Sequence, residues 1–523
     1  MELVRRIRAQ VQLLPLLLVS IPFAIGAIQL LIETRQPLYL TGDQALLDIA
    51  VRRSVEFLQL VGPYSRYSWS HPGPMSFFFF APATLAFDSS VGLYLGALLT
   101  NWLFVSLGVG LLGRRLLQRT TLSIVVILMI YMIALGPTAL RDPWNPQIVV
   151  LPLLAALFAV VVRPSVRSMC FLAVATSLAL QSHIGTIGII ASLLFTVVAV
   201  HLLAAKLPTF SWLRHARSAG LWPGLRPTLA VAAVTLICWS LPIVEQLANG
   251  RSGNFGRVVH YNLTSHGEAK HTLSEGFTYT LGGSWLPDLP LLVPPPQPPG
   301  PDLLWVVLWL AAAAGGCFLA FKRQLRAPFV LLLFSAVGFL LVSTALSRVS
   351  GQMFVYLLWW VAIPAVALLM GWAALVFGED GLLSGKLQGL SRGALVGATV
   401  VVAFFSIGST LGNKSTHRFS RDDVREATAL VTQSVGDREG VLILELPDPS
   451  ASLVAYGVVD QLVREGHPVR TVDPQNRPVE TRGSKGDVIA TFRIAAAGSG
   501  NNVGGTVLGS TNTGESVTVR RIS

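Results

Sequence analysis

Charge is scarce in this sequence. Only 13% of its 523 residues are Asp, Glu, Lys or Arg, about half the ~25% of a soluble globular domain. Lysine is rarer still, with six residues against 33 arginines. Cysteine is nearly missing: Cys170, Cys238 and Cys317 each lie inside an apolar run, which excludes a disulfide framework. What fills the chain instead is 52% hydrophobic residues, with 12 Trp and 25 Phe. They fall in repeated runs of about 20 residues, the length that crosses a bilayer as a helix. The class that follows is a polytopic α-helical membrane protein. The net charge of +12 would point to nucleic acid in a soluble protein. Here the arginines sit in short clusters between apolar runs, where they hold loops on the cytoplasmic side, and no nucleic-acid partner is expected.

The runs place eleven spans near 12–32, 91–112, 121–139, 147–162, 168–184, 186–204, 228–247, 303–321, 327–346, 353–377 and 393–411. The first run is too long for a signal peptide and lacks a small-residue cleavage site, so it reads as a retained span. The stretch "PMSFFFFAPATLAF" (74–87) decides the topology. If it crosses, the cluster Arg114, Arg115 and Arg119 moves outside, opposite the N-terminal Arg5/Arg6/Arg8. If it is interfacial or re-entrant, every basic cluster falls on one side, the cytoplasmic one. The second choice puts the N-terminus inside and the C-terminus outside, in a cytoplasmic (inner) membrane. Five polar loops then share the outer face: 33–90, "RDPWNPQ" (141–147), "QSHIGT" (181–186), 248–302 and "SRVSGQ" (347–352).

Residues 413–523 differ in character and are expected to form a small extracytoplasmic α/β domain following a transmembrane unit over 1–412. "VLILEL", "HPVRTVD", "DVIATFRI" and "SVTVRRIS" read as strands, and "SASLVAYGVVDQLVREG" as an amphipathic helix between the first two. The Gly/Asn/Ser/Thr-rich stretch 498–515 reads as loop, and "LLVPPPQPPGPD" (291–302) as a stiff extended linker.

The first outer loop carries the densest chemistry. Asp43, in "TGDQA", can serve as a general base or as the N-cap of the amphipathic helix "QALLDIAVRRSVEFLQLV", and the two roles are compatible. Asp48 reads as a solvated helix position or a partner of Arg52 at i+4. In "GPYSRYSWSHPGP", Gly and Pro impose an irregular backbone from which Arg66, Trp69 and His71 project. Arginine suits phosphate, and aromatic faces suit sugar rings.

An Asp just after span one, an amphipathic helix and an "HPGP" element before the next apolar segment together resemble the GT-C superfamily. These are integral-membrane glycosyltransferases that use polyprenyl-phosphate sugars, and they include the protein O-mannosyltransferases and the lipid A aminoarabinose transferases. The pattern "GD.A", "GPYSR..W.HPGP" and a later "WNP" is similar to the RgtA/B/C/D-like group, over residues 10–360. The resemblance implies that Asp43 is the catalytic acidic residue of the first loop. It implies an inverting transfer from a polyprenyl-phosphate donor to a glycan or glycolipid acceptor of the cell envelope. The family often pairs that Asp with a second acidic residue; here the neighbour is Gln44. A divalent metal is possible in such a site but is not indicated, and no other cofactor is expected.

The remaining loops add candidates. Asp142 and Asn145 could contact sugar hydroxyls, and Trp144 could stack; all three types are also at home in a turn with an interfacial Trp. Gln181 and His183, at the end of an apolar span, are either functional or interhelical glue. The long loop contributes Arg257, His260, Tyr261, His266 and His271. The histidine spacings match no compact zinc pattern, so contact with acceptor or lipid headgroup is the reading for His260 and Tyr261. Arg348, at the end of a span, is the candidate for the lipid phosphate. Two other classes stay open: a transporter or flippase of lipid-linked sugars, and a non-catalytic membrane assembly subunit. A transporter should carry charge near the bilayer midplane, whereas these spans hold almost none.

Overall fold

The apolar runs become helices. A computed structural model of the chain describes residues 2–33, 39–67, 69–87, 90–206, 225–264, 270–283, 303–384, 388–412, 421–447, 451–473, 479–481, 484–496, 505–511 and 517–523. The helices are α1 (Glu2–Glu33), α2 (Gly42–Val55), α3 (Met75–Ala86), α4 (Ser90–Arg115), α5 (Gln118–Arg141), α6 (Asn145–Ile148), α7 (Val150–Val161), α8 (Val166–Ser182), α9 (Ile187–Lys206), α10 (Leu225–Asn249), α11 (Asn254–Thr264), α12 (Leu273–Gly283), α13 (Leu303–Lys322), α14 (Arg326–Leu346), α15 (Ile363–Phe377), α16 (Gln388–Gly412), α17 (Arg421–Val435) and α18 (Ser452–Arg464). Among the described residues, eight segments are long and apolar enough to cross a membrane. The spans expected at 147–162, 168–184 and 393–411 coincide with shorter apolar helices. The fold is that of a polytopic α-helical membrane protein.

Helix α7 occupies the centre of the bundle: all 12 of its residues are buried, as an all-apolar helix requires. Helices α4 and α8 pack on it, while α14 packs on α9, α13 and α15. Helix α10 is the opposite case. It packs on α8, yet Leu229, Leu236, Ile237 and Leu247 remain exposed, an apolar face suited to lipid. Helix α3 has 12 residues, about 18 Å at 1.5 Å per residue, too short for a ~30 Å hydrocarbon core. It packs between α2 and α4.

Polar termini gather at two separate ends. At one, Glu379 accepts from the Arg119 and Thr120 backbone N–H groups, Arg323 donates to Gly381 O at 3.0 Å, and Arg326 donates to Val161 O at 3.2 Å. Three of the basic clusters thus share one set of helix ends. The expected linker at 291–302 and His266 lie outside the described residues.

The C-terminal strands are β1 (Val441–Glu445), β2 (Val469–Val472), β3 (Val488–Ala496), β4 (Thr506–Ser510) and β5 (Val517–Arg521), in the order β2-β1-β3-β5-β4. β1 runs parallel to β2 and β3, and β5 is antiparallel to β3 and β4. Helix α18 makes the crossover that a parallel β1–β2 pair needs. β4 corrects the expectation of loop across 498–515. Its Gly509 is a close-approach position, because an added Cβ would lie 3.0 Å from Leu430 Cδ1 of α17. Low apolar content hid an edge strand that depends on this packing.

Helix α2 joins the two parts and works on two faces. At 3.6 residues per turn, Asp43 and Asp48 are about 140° apart around the axis. Asp48 is fully buried, not solvated, and meets both Arg52 Nε at 2.8 Å and Arg464 Nη2 of α18 at 2.9 Å. Arg464 Nε also reaches Asp460 at 3.0 Å. Asp48 and Asp460 thus pack with the guanidinium groups of Arg52 and Arg464 inside the α2–α18 contact. Beside them Gly42, at φ +51°, leaves no room for a side chain: an added Cβ would lie 2.4 Å from Leu453.

Removing one member of a buried ion cluster leaves an uncompensated charge, which costs about 3–5 kcal/mol. Arg464→Ala should destabilise the detergent-solubilised protein by that amount in urea melts. Arg425→Ala, which breaks a pair more than half exposed on both sides, should change little. Equal midpoints for the two variants would contradict a buried cluster.

Candidate active site

The segment after α2 folds into a tight hairpin. Tyr64 and Ser70 form an antiparallel bridge. Gly62 N donates to His71 O at 2.9 Å, His71 N to Pro63 O at 2.7 Å and Ser65 N to Trp69 O at 2.9 Å. Asn254 of α11 caps this hairpin with both ends of its amide: Ser70 N donates to Oδ1 at 2.9 Å and Nδ2 donates to Ser70 O at 2.7 Å. Glu245 in turn accepts from Asn254 N at 3.0 Å. Gly73 fits because it lacks a Cβ, which would meet Gln181 Oε1 at 2.2 Å. The "HPGP" turn is thereby pressed against the end of α8.

This hairpin is one wall of a cavity of about 890 Å³. Asp43 sits on the facing wall, in the first turn of α2. The Tyr64 hydroxyl donates to Asp43 Oδ1. The N-cap of α2 is Thr41, not Asp43, so the carboxylate is spared for the cavity while keeping its favourable place at a helix N-terminus.

Two histidines face each other at the cavity, their ring centroids 5.0 Å apart. Ile184 N donates to His71 Nδ1 at 3.2 Å, which places the His71 proton on Nε2. Burial, and then the neighbouring His183, holds His71 well below the usual imidazole range. His183 Nδ1 lies 3.5 Å from the Asn145 amide. The prolines of "DPWNP" set this up: they interrupt α5 and start α6 at Asn145.

The aromatic residues converge as well. Tyr261 of α11 lies 4.8 Å from the Tyr67 ring and 6.2 Å from Trp69. Four arginines line the same space: Arg53, Arg66, Arg257 and Arg348. Arg66 is committed to the protein, donating to Gln352 O at 2.8 Å and Ser350 O at 3.2 Å, and so braces the first loop against 350–352. The guanidinium groups of Arg257 and Arg348 make no hydrogen bond or ion pair with the described residues.

The structure brings Asp43, Arg66, Trp69, His71, Trp144, Asn145, His183, Tyr261 and Arg348 to one cavity. Three sequence candidates lie off its walls. Gln181 donates to Cys238 O at 2.7 Å, tying α8 to α10. His260 is exposed on the outer face of α11. Asp142 lies behind the cavity, where it accepts from Trp144 N at 2.9 Å. Burial pushes its carboxyl up to about 6, with Asp43 adding repulsion while the Trp144 N–H and Arg141 oppose the rise. A second carboxylate therefore does stand near Asp43, supplied by 141–147 instead of position 44. Tyr64, Arg53, Asn254 and Val479 are site residues the sequence did not single out; only the helical spacing of Arg53 from Asp43 could have signalled one of them. Among the described residues, no three His, Cys, Asp or Glu side chains converge as a metal site.

No protein-family model and no curated protein matches the chain. Solved structures do match its fold, two of one protein among them. ArnT from Cupriavidus metallidurans in the apo state aligns at a TM-score of 0.58, 12% identity and 97% coverage of both chains. The same protein bound to undecaprenyl phosphate aligns at 0.54, again with 12% identity and 97% coverage of both. The chain thus shares its fold with ArnT over 97% of its length.

The Asp142 shift has a testable sign. Its folded value lies above the ordinary 3.8, so the folded state binds the proton more tightly and stability falls as pH rises from about 4 through 6. Asp142→Asn mimics the protonated form and escapes that loss. Its melting temperature should gain on the wild type as pH rises through 6 and level off above. A difference independent of pH would contradict a raised Asp142.

Proposed function

We propose that the chain is an integral-membrane glycosyltransferase that moves a sugar, with inversion, from a polyprenyl-phosphate donor to a glycan or glycolipid acceptor of the cell envelope. One observation carries the reading: Asp43, hydrogen-bonded by Tyr64, shares a cavity with Arg348 at the end of α14, whose guanidinium has no partner among the described residues. The undecaprenyl phosphate bound by the structurally similar ArnT supports a lipid phosphate as the donor's handle. Reaction on the outer face of the cytoplasmic membrane is supported by the basic helix ends, which gather away from the cavity. Residues 1–412 then form the catalytic transmembrane part, and 413–523 an extracytoplasmic unit resting on the first outer loop.

The chemistry follows from charge. Asp43 accepts the proton of the acceptor hydroxyl as that oxygen attacks the anomeric carbon. The bond from that carbon to the phosphate oxygen breaks on the opposite face, and the electron pair leaves with the phosphate. Arg348, with Arg257 beside the same cavity, stabilises the departing charge, usually the largest electrostatic contribution. Neutral His71 and His183 donate to sugar hydroxyls, as does Asn145. Trp69, Trp144 and Tyr261 offer faces for rings. Tyr64 fixes the carboxylate for its role.

Asp43→Asn separates the base from its structural duties. Asn keeps an oxygen for the Tyr64 hydroxyl, so the protein should fold and bind undecaprenyl phosphate. Turnover should fall by at least ~100-fold, the lower end for losing a general base. Near-normal turnover would remove Asp43 from the mechanism. Arg348→Ala should weaken undecaprenyl-phosphate binding and Arg348→Lys restore it only partly, because the planar fork is lost. Unchanged affinity in both variants would assign Arg348 to the membrane surface.

A further inference from the structure

Arg52 and Arg53 are adjacent in the last turn of α2, yet they do opposite things. Arg52 turns to the buried Asp48. Arg53 lines the cavity, on the same face as Asp43, Leu46, Leu47 and Ala50. Ten residues separate Arg53 from Asp43, about 15 Å along the helix axis. At the Asp43 end stand Trp144, Asn145 and His183; at the Arg53 end stand Gln59 and Val479, the latter delivered by the C-terminal unit.

Arg53 is poorly satisfied there. Its Nε is buried with no hydrogen-bond partner among the described residues, and Nη2 reaches Leu58 O only at 3.4 Å. A cation in this condition is costly unless an anion completes it. Glu480 acts on Arg53 electrostatically but forms no ion pair with it. The cavity as a whole carries four arginines against the single carboxylate of Asp43. Arg66 is bonded to backbone carbonyls, and Arg348 and Arg257 are assigned above to the donor's phosphate. Arg53 is left over. The volume of about 890 Å³ is at the upper end for a small-molecule site, with room for more than one ring.

We propose that the acceptor bears a second anionic oxygen group, a carboxylate or a phosphodiester, remote from the attacked hydroxyl, and that Arg53 binds it at the mouth shared by α2 and the C-terminal unit. The inference rests on the transferase reading above and adds to it the chemical class of the acceptor. It gives the C-terminal unit a reason to be clamped onto α2: Val479 closes the side of the cavity where this group sits.

The test is calorimetric titration of the full-length protein in lipid nanodiscs. Three probes are used: a neutral disaccharide, the same disaccharide with a uronic-acid carboxylate, and one with a methyl phosphodiester. At least one anionic probe should bind about tenfold tighter than the neutral one, the scale of one charge-assisted hydrogen bond; which one does identifies the group. Arg53→Gln should bring that probe to the neutral affinity while leaving undecaprenyl-phosphate binding unchanged. Glu480→Gln, an exposed change that keeps Arg53 intact, should tighten the anionic probe about twofold, as the removal of one exposed opposing charge does. Equal affinity for all three probes in the wild type, or discrimination that survives Arg53→Gln, overturns the proposal. A wild type that discriminates the anionic probe but does not bind undecaprenyl phosphate would instead fell the donor reading and leave the anion site standing.

Discussion

Everything at the site depends on how one short helix is held. Helix α2 presents Asp43 and Arg53 to the cavity only because its other face is locked by Asp48, a carboxylate with no access to solvent. An isolated buried carboxylate would be very costly. Arg52 from the same helix and Arg464 from α18 make it tolerable. Asp460 completes the set, although burial and the nearby Asp48 push its carboxyl well above the usual range. A helix fixed by charges on one face cannot roll, so the opposite face keeps its aim.

The cavity is assembled from segments far apart in sequence, each constrained by its own local rule. Prolines stop α5 and start α6, which exposes Trp144 and Asn145. Missing side chains at Gly62 and Gly73 let the first-loop hairpin press against Gln181, at its backbone carbonyl and its side-chain amide respectively. Asn254 binds that hairpin as a strand partner would. Arg66 ties it to 350–352. The site is therefore a set of loop ends held on rigid helices, the arrangement that keeps polar groups in register without a shared secondary structure.

Much of this was legible because membrane sequences are written in plain units. Long apolar runs gave helices, and the polar exceptions between them gave the cavity. Asp43, His71, Asn145 and His183 stood out because such groups are out of place beside a bilayer. What stayed hidden is tertiary. The Arg52 partner of Asp48 was legible at i+4, but its burial was not, because nothing in its neighbourhood announces α18, more than 400 residues on. Arg66 looked like a phosphate ligand, but its guanidinium is engaged by backbone carbonyls, which leave no mark in sequence. Gln181 and Asp142 belong to the same chemistry of buried polar groups, but one ties two helices together and the other backs Asp43. The strand at 506–510 was masked by Gly and Ser, whose value lies in what packs on them.

The central claim is spatial: one cavity holds the base and the lipid phosphate together. A density map of the full chain in a lipid environment with undecaprenyl phosphate bound tests it most directly. The account predicts the phosphate against Arg348 and Arg257, with the Asp43 carboxylate facing the carbon position beyond it. A phosphate seated elsewhere, with Arg348 turned to the membrane surface and Asp43 facing away, would contradict it.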